Sequence, residues 1–537
     1  MKRILPLLLS ILLLAGCNTP GAEPAPIVLT TTPVGDTSGP SVSEPAETLY
    51  ISRFSEQTQI TLSDEGITVN GGSETDTVYT SHDIIYYEDR DYYPSGNPYG
   101  DGDALERHSA AEAESHTVVN ITAPGAYRIS GKLSAGQIRI DLGKDAYDDP
   151  DAVVELILDN ADVTCNVAPA ILFLNVYECD GSWSEDTAKP DVDTSAAGAN
   201  LILAEGSQNL ISGSHVAKIY KDKNGEKKLW KQDGAVYAYM SMNVFGPGKL
   251  DIFADNEGLD TELHLTINGG EIAIRSANDG INTNEDGVSV TTINAGRIHI
   301  IAGLGAEGDG IDSNGYLVIR GGTVVSAAHP ASDAGLDSDL GSYIHGGTVI
   351  ALGSAMDWAE SDSGQVSMNL QFAHYQDSGS AIVVTQEDGA VLFAYDPGED
   401  TVLGQNSRSY QGAILSCPNF RQGESYHVYL DGQLTGSVSH GIYDTATVTA
   451  YEGGTQMLYT GTDVRRGPGG FGGGFHEDRG QHPEKPEGDM PPDFQGKEPP
   501  EGWGKSPDGN GPSPSEGNTR FYMQDRVNFF SGLTAAN

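Results

Sequence analysis

The chain has 537 residues, enough for more than one domain. Its 76 Asp and Glu residues outnumber its 30 Lys and Arg residues, and the formal net charge at pH 7 is −46. Because nucleic-acid binding draws on concentrated positive charge, this excess argues against a nucleic-acid partner. It also opposes direct binding of an anionic polymer, unless divalent cations bridge the two.

The N-terminus carries an export signal. Two basic residues precede an apolar stretch at residues 4–14, which is too short to span a bilayer as a stable helix. The sequence Leu-Ala-Gly-Cys that follows resembles the bacterial lipoprotein processing box and implies lipid attachment to Cys17. We predict a signal peptide at 1–16, a flexible linker at 17–50, and an exported protein held by lipid on the extracellular face of the cell membrane. An ordinary secretory signal is the alternative, and it too takes the protein out of the cytoplasm.

Residues 51–365 are predicted to form one body of short strands, with polar insertions at 84–103, 180–199 and 218–232. The first insertion is rich in tyrosine. Exposed tyrosines can stack on sugar rings, whereas a loop packed by its own aromatic side chains is the alternative. The candidates for sugar binding are Tyr86, Tyr87, Tyr92 and Tyr93.

A repeated unit occupies residues 246–352. Its glycine turns recur with spacings of 22 to 26 residues, and each is followed by a run with apolar residues at alternate positions, at Gly248, Gly270, Gly296, Gly322 and Gly347. Self-similarity at this period is typical of a solenoid, in which each unit buries its apolar face against its neighbours. Short strands and glycine bends without helical periodicity favour an all-β fold in which each unit is one coil of a parallel β-helix.

Four acidic turns within this repeat agree in having Gly, then Leu or Ile, then Asp or Asn, and two positions later another acid or amide. In stacked strands, equivalent positions lie about 4.8 Å apart, so these side chains form ladders of like charge. Calcium offsets such charge with six to eight oxygen ligands, and structural turns capped by Asp and Asn are the alternative. The metal candidates are Asp260, Glu262, Asp279, Asn282, Asn284, Asp309, Asp312, Asn314, Asp337 and Asp339.

After Leu352 the acidic turns stop. Separate strand-like runs at 366–462 predict an antiparallel β cap or small sandwich that closes the solenoid. A tail rich in Gly and Pro at 463–518 is predicted to be disordered, and a short apolar segment at 519–537 could dock on the body or on a partner. Cys165 and Cys179 could form a disulfide in an exported protein.

Several phrases of the chain carry a resemblance to a known family. They are the run Pro-Gly-Ala-Tyr-Arg-Ile-Ser-Gly ending at Gly131, the run from Val154 to Asp162, the Asn-Gly-Gly and Asp-Gly-Ile turns, and the run from Gly412 to Pro418. In this order, behind a lipoprotein signal, they resemble the bacterial carbohydrate-binding β-helix lipoproteins that include a clostridial cellulose- and polygalacturonate-binding protein. The resemblance implies a right-handed parallel β-helix related in shape to pectate lyases, bound calcium, and binding without demonstrated cleavage.

We therefore expect a calcium-binding, non-catalytic protein of the cell surface, monomeric, whose partner is a cellulose- or pectin-like plant cell-wall polysaccharide and whose contact with the membrane is the lipid anchor only. One alternative is a calcium-dependent uronate polysaccharide lyase, which needs a basic residue to remove the C5 proton; the candidates are Arg275, Arg297 and Arg320. The same arginines are explained as charge compensation beside the acidic turns. A structural surface or spore-coat protein is the second alternative.

Overall fold

The computed structural model of the protein describes residues 50–88, 102, 105–181, 184–220, 227–462 and 517–536, without the side chains of 220 and 227–230. The predicted signal peptide, the lipidation site Cys17, and the candidates Tyr92 and Tyr93 lie outside the described residues, as does most of the predicted tail.

Short strands make up nearly all of the regular structure up to residue 353. Apolar residues at alternate positions, broken by glycine and polar turns, favour strands of this length. In chain order they are β1 (Gln57–Ser63), β2 (Gly66–Val69), β3 (Val78–Ser81), β4 (Thr117–Ile121), β5 (Gly125–Leu133), β6 (Gly136–Asp141), β7 (Val154–Thr164), β8 (Ile171–Asn175), β9 (Ala199–Leu203), β10 (Gln208–Gly213), β11 (Val216–Tyr220), β12 (Lys227–Gln232), β13 (Gly234–Ala238), β14 (Met242–Phe245), β15 (Lys249–Ala254), β16 (Glu257–Thr261), β17 (Leu265–Ser276), β18 (Ile281–Thr283), β19 (Val290–Ile301), β20 (Ile311–Ser313), β21 (Tyr316–Ile319), β22 (Thr323–Ala327), β23 (Gly341–Ile344) and β24 (Thr348–Gly353).

The C-terminal part adds further strands. They are β25 (Ser367–Gln376), β26 (Ile382–Gln386), β27 (Val391–Tyr395), β28 (Thr401–Val402), β29 (Gln405–Asn406), β30 (Tyr410–Ser416), β31 (Ser425–Leu430), β32 (Gln433–Thr435), β33 (Val438–Ser439), β34 (Ile442–Tyr443), β35 (Ala450–Glu452), β36 (Thr455–Leu458), β37 (Phe521–Tyr522) and β38 (Val527–Ala535). The helices of the described residues are all short: α1 (Ala110–Glu114) and two 3-10 helices, Lys144–Asp148 and Pro397–Glu399.

Successive repeat units pair in parallel and in register. Strand β15 pairs with β17, β17 with β19, β19 with β22, and β22 with β24. A second row of parallel pairs runs from β9 through β14, β17, β19 and β21 to β23. Because β17 and β19 are each 12 residues long, they belong to both rows.

The predicted β-helix solenoid is wrong as a description of this all-β architecture, which contains a closed six-stranded parallel barrel with many strands bonded outside it. The pairings that close a ring run β7–β9–β14–β17–β15–β10 and back to β7. The ring closes because β7 and β17 each pair with one neighbour through their first residues and with another through their last. The repeat pattern predicts that a strand ends at each glycine turn, whereas Gly270, at a φ of 97°, bends β17 and lets it continue.

A separate eight-stranded sheet has the order β20-β18-β16-β13-β8-β6-β4-β3, parallel except for the antiparallel pair of β3 and β4. Its inward side chains Leu259, Ile281, Ile311 and Leu336 are fully buried in the main hydrophobic core. The side chains between them point the other way, because successive residues of a strand face opposite sides. Those alternate positions carry the acidic turns.

The C-terminal strands pair mainly antiparallel. Strand β30 pairs with both β24 and β25, and a second core forms around side chains that include Phe372 and Tyr410. The final segment packs on the body: β38 pairs with β25, and Phe530 and Leu533 are buried in the second core. Cys165 and Cys179 are both free thiols in the structure.

Candidate functional site

The ten predicted metal candidates, which we call the acid ladder, lie on or within three residues of β16, β18, β20 or Leu336, the residue that bridges to β20. Their strands stack in register, with Asp260 beside Asn282 and Asn282 beside Asp312. Neighbouring positions are therefore one strand spacing apart, about 4.8 Å. The sequence alignment of the four turns thus predicts the observed register.

The first turn of the ladder holds a compact group of carboxylates. Ligand oxygens of Asp233, Glu257 and Asp260 all lie within 4.8 Å of one another, and we call these residues the first-turn cluster. Glu257 and Asp260 are 4% and 0% exposed. The Nδ2 of Asn284 donates to Oδ1 of Asp260 at 2.6 Å, and that of Asn282 to Oε1 of Glu257 at 3.2 Å.

Three oxygen atoms at this turn are buried without a hydrogen-bond partner among the described residues: Oε2 of Glu257, Oδ2 of Asp260 and Oδ1 of Asn282. Buried polar atoms are rarely left unpaired, because the loss of water then has no compensation. The unpaired atoms are all oxygens, the donor that Ca²⁺ and Mg²⁺ accept. The first turn therefore has the chemistry of a site for a hard cation.

The predicted insertion at 218–232 supplies a positive charge to this cluster. It contains most of the antiparallel hairpin of β11 and β12, and Lys231 is the penultimate residue of β12. The ammonium of Lys231 forms an ion pair with Asp233 and donates to Oδ1 of Asn284 at 3.1 Å. One lysine faces several carboxylates, so it offsets only part of their charge.

The pKa values reflect this imbalance. Burial raises the pKa of Glu257 to about 7, and the nearby Asp233 carboxylate adds to the effect. Burial followed by the charge of Glu257 also raises the pKa of Asp260 well above its ordinary value. Burial alone would lower the pKa of Lys231, but the carboxylates around it, Asp233 first, raise it above its ordinary value. At neutral pH a further cation would stabilise the ionised cluster.

The later turns use some of their carboxylates to hold the backbone. Oδ1 of Asp279 accepts from the N–H of Asp309 at 2.6 Å, and Oδ1 of Asp309 accepts from the N–H of Ala334 at 2.6 Å. Each carboxylate thus joins one turn to the next, as a structural Asp turn does. The structural Asp turn therefore accounts for one oxygen atom of Asp279 and one of Asp309.

Acidic groups also accumulate at the far end of the ladder. Burial, and then the charge of Asp337, raises the pKa of Asp309 well above its ordinary value. Burial and the neighbouring Asp339 raise the pKa of Asp337 to about 6. Burial decreases along the ladder: Asp260 is fully buried, Asp337 is partly buried and Asp339 is exposed. Among the ten residues of the ladder, Asp339 alone is exposed.

The three candidate lyase arginines do not form one group. In the register of β17 and β19, Arg297 lies beside Glu271 whereas Arg275 lies beside Ile301. The guanidinium of Arg275 stands 5.9 Å from the Phe253 ring centre. Arg320 lies beyond β21 and forms an ion pair of 3.1 Å with the exposed Asp191. Successive turns therefore do not bring these arginines to a shared position.

The tyrosines of the first insertion divide by burial. Tyr87 is fully buried and donates from its hydroxyl to the carbonyl of Gly102 at 2.8 Å, so its ring offers no face to a sugar. Tyr86 is partly buried and packs against the main core. Both rings therefore pack in or against the main core of the protein.

A different set of aromatic side chains lines an outer surface of the repeats. The rings of Tyr316 and Tyr343 have centres 6.2 Å apart, and those of Tyr343 and His345 are stacked 6.1 Å apart. Both tyrosines are partly exposed and His345 is exposed. We call these three residues the aromatic row. Rings with an accessible face and a polar edge are suited to sugar contacts.

Two matches to one family model, described as carbohydrate-binding domain-containing protein, cover residues 115–187 and 183–391. Together they span just over half of the chain. The chain belongs to this family. The acid ladder and the aromatic row of this carbohydrate-binding domain-containing protein both lie within the second match.

A curated carbohydrate-binding domain-containing protein from Acetivibrio thermocellus is 28% identical over 175 residues, which are 32% of this chain and 49% of the relative. The chain thus spans about half the length of the curated relative it matches. A solved structure described as the polysaccharide lyase-like protein from C. thermocellum, gadolinium derivative, matches with a TM-score of 0.32 and 20% identity. That match covers 54% of this chain and 93% of the solved one.

The N-terminus matches the prokaryotic membrane lipoprotein lipid attachment site at residues 1–18, a stretch that contains Cys17. The predicted export and lipid anchoring at the cell surface are confirmed. In the part of the chain that the structure describes, no helix is both long and apolar enough to cross a membrane.

Sequence reasoning missed several residues of the site. Glu257 lies in the first acidic turn, and acids directly before the glycine in three of the four turns were a usable signal for it. Lys231 lies in the preceding insertion and Asp233 directly follows it, and neither carries a local signal. Tyr316 and Tyr343 belong to two successive repeat units, so their proximity follows only from the pairing of β21 with β23.

Proposed function

We propose that this lipoprotein binds a cellulose- or pectin-like plant cell-wall polysaccharide at the cell surface, with calcium held by the acid ladder, and that it does not cleave the polymer. The family match over residues 115–391 carries the proposal, since it covers both the ladder and the aromatic row. The description of the family names binding and no reaction.

Charge supports a role for calcium in this proposal. A protein with a net charge of −46 repels an acidic polymer, and bound divalent cations would reduce that repulsion. The first-turn cluster is buried, so an ion there would stabilise the fold without touching a polysaccharide. Asp337 and Asp339 at the open end could share an ion with the carboxylates of a uronate polymer.

The aromatic row supports a direct contact with sugar. Tyr316 and Tyr343 follow the third and fourth acidic turns, so the rings and the open end of the ladder belong to the same two repeat units. A polymer could therefore combine stacking on the rings with calcium bridging at the open end. A neutral polymer would use the rings alone.

Retention on insoluble polymers tests the proposal. The full-length protein, in detergent, is mixed with cellulose or with pectate in calcium or in chelator. We expect retention on pectate to require calcium and to fall in the variant D337N/D339N, with the exposed pair E65Q/D76N as a control of equal charge change. Retention on neither polymer would contradict the proposal and favour a structural surface protein.

A separate assay addresses cleavage. Incubation with polygalacturonate is followed by the absorbance of the unsaturated product, in calcium and in chelator. We expect no increase above the buffer. A calcium-dependent increase that disappears in Arg297→Ala would contradict the non-catalytic part of the proposal and support the lyase alternative.

A further inference from the structure

A second group of potential metal ligands lies away from the acid ladder, where the C-terminal part meets the parallel strands. His299 belongs to β19, Asp400 follows the 3-10 helix Pro397–Glu399, and His440 lies between β33 and β34. Ligand atoms of the three side chains all lie within 4.8 Å of one another. We call them the His-Asp-His cluster.

The local structure around each residue explains why the three side chains lie close together. His299 lies between the fully buried Ile298 and Ile300, so its side chain points to the opposite, outer face of β19. The C-terminal strand β28 lies against β17 and β19 and covers that face. The N–H of Asp396 donates to the carbonyl of Gly441 at 2.8 Å and joins the two C-terminal segments.

The cluster contains buried polar atoms without partners. His299 is 3% exposed and Asp400 is 2% exposed. Both ring nitrogens of His299 and Oδ1 of Asp400 have no hydrogen-bond partner within the described residues. His299 Nδ1 and Asp400 Oδ2 face each other at 3.7 Å, too far for a hydrogen bond. Buried polar atoms are rarely left unpaired, so the two nitrogens of this imidazole indicate that a ligand binds here.

The surroundings of the cluster resemble those of a metal centre. Tyr395 donates from its hydroxyl to Oδ2 of Asp400 at 3.1 Å, which fixes the orientation of the carboxylate. The ring of His440 lies 4.5 Å from that of His299 between centres, and its Nε2 is 3.9 Å from Oε1 of Glu271. His440 also adopts the left-handed backbone, with a φ of 48°, a conformation that costs energy and is concentrated at functional positions.

The donor set decides the class of ion. Calcium and magnesium take oxygen ligands, whereas two imidazoles and one carboxylate suit zinc and neighbouring divalent transition ions. Bonds of about 2.0 to 2.1 Å in a tetrahedral zinc site place ligand atoms about 3.3 Å apart. The observed 3.7 Å between His299 and Asp400 needs only a small closure, and the partly exposed His440 can move toward them.

We propose that His299, Asp400 and His440 bind one zinc-class divalent transition ion, which links the C-terminal part to β19. The ion is chemically distinct from the calcium proposed for the acid ladder. The fourth position is left to water or to Glu271. Binding of this ion does not depend on polysaccharide binding, so either proposal can fail without the other.

Cobalt provides the test, because tetrahedral Co²⁺ absorbs visible light far more strongly than aqueous Co²⁺. The full-length protein, freed of any histidine tag and of metal, is titrated with Co²⁺ in excess Ca²⁺, the ion proposed for the acid ladder. We expect one strongly absorbing Co²⁺ per chain, displaced by Zn²⁺. His299→Asn and His440→Asn should abolish the band, and Tyr395→Phe should weaken binding by about tenfold.

The exposed His374 provides a matched control, since His374→Asn removes an imidazole elsewhere in the C-terminal part. His440→Asn changes a partly exposed side chain, so its circular dichroism should match that of the wild type. The absence of a strong band in the wild type would overturn the proposal. So would a band that persists in both His299→Asn and His440→Asn, because the ion would then lie elsewhere.

Discussion

Glu257 offers the most quantitative test of the first-turn cluster. Burial, reinforced by Asp233, raises its pKa from an ordinary value of 4.5 to about 7. A carboxyl with a higher pKa in the folded state stabilises the fold fully below its unfolded pKa, and this stabilisation is lost as the pH rises through the folded value. Between pH 4.5 and pH 7 the loss is about 3 kcal/mol, at about 1.4 kcal/mol for each pKa unit.

Repulsion between carboxylates is one contribution to this loss, after burial. Two carboxylate oxygens of the cluster lie within 4.8 Å of each other. At an effective dielectric of 20, two unit charges at that distance repel by about 3 kcal/mol. The substitution Glu257→Gln removes one of these charges with little change in volume. In chelator, the wild type should therefore lose about 3 kcal/mol more stability than this variant when the pH is raised from 4.5 to 8.

Urea denaturation of the full-length protein, in chelator and in calcium at both pH values, measures this difference. The charge of Glu257 raises the pKa of Asp260, so the comparison measures Glu257 together with its effect on Asp260. In chelator at pH 8 the variant should be the more stable protein. In calcium at pH 8 the wild type should be the more stable one, because the variant lacks a ligand. Equal loss of stability in the two proteins in chelator would refute the reasoning; Glu65→Gln, in the turn between β1 and β2, controls for the loss of an exposed charge.

Three further results are expected. Lys231→Met leaves the first-turn carboxylates without their ammonium and should cost about 3 kcal/mol or more in chelator, partly restored by calcium, as measured by urea denaturation. Tyr316→Ala and Tyr343→Ala should each weaken retention on polysaccharide about 3- to 10-fold, whereas Tyr375→Ala, at a ring 51% exposed on β25, should not. Gly270→Ala should lower the thermal midpoint, because its φ is 97° and an added Cβ would meet Leu203 Cδ1 at 2.7 Å. An unchanged midpoint would show that β17 does not need glycine at this bend.

The sequence was sufficient to predict the ladder because its information is periodic. A repeat aligned on its glycines places Asp260, Asn282 and Asp312 in one column, and parallel pairing in register turns that column into neighbours. The all-β class follows from the same period. The closed ring does not follow from the period, because it depends on β7 and β17 continuing past a bend. No local sequence pattern distinguishes one bent strand from two separate strands.

Contacts made by non-repeating segments were beyond sequence reasoning. Lys231 reaches the first-turn cluster from a hairpin, and Asp400 and His440 reach His299 from the C-terminal part. Each of these residues is unremarkable in its own segment. Its role appears only when a distant segment covers a particular face of the parallel strands.

The order of acids and amides along the ladder predicts how many calcium ions it holds. The central column reads Asp260, Asn282, Asp312, Asp337, so an amide separates the first acid from the others. Adjacent carboxylates would repel by about 3 kcal/mol, and the amide removes that repulsion where it stands. Within this column, negative charge is thus concentrated at the two ends.

We therefore expect two calcium ions per chain, one at the first-turn cluster and one near Asp337. Isothermal titration calorimetry should count two ions in the wild type and one in E257Q/D260N, because that double variant removes acids from the first turn only. The remaining ion should be the one that polysaccharide contacts, so retention on pectate should persist in this variant. Loss of both ions, or of neither, would show that Asn282 does not separate two calcium sites in the ladder.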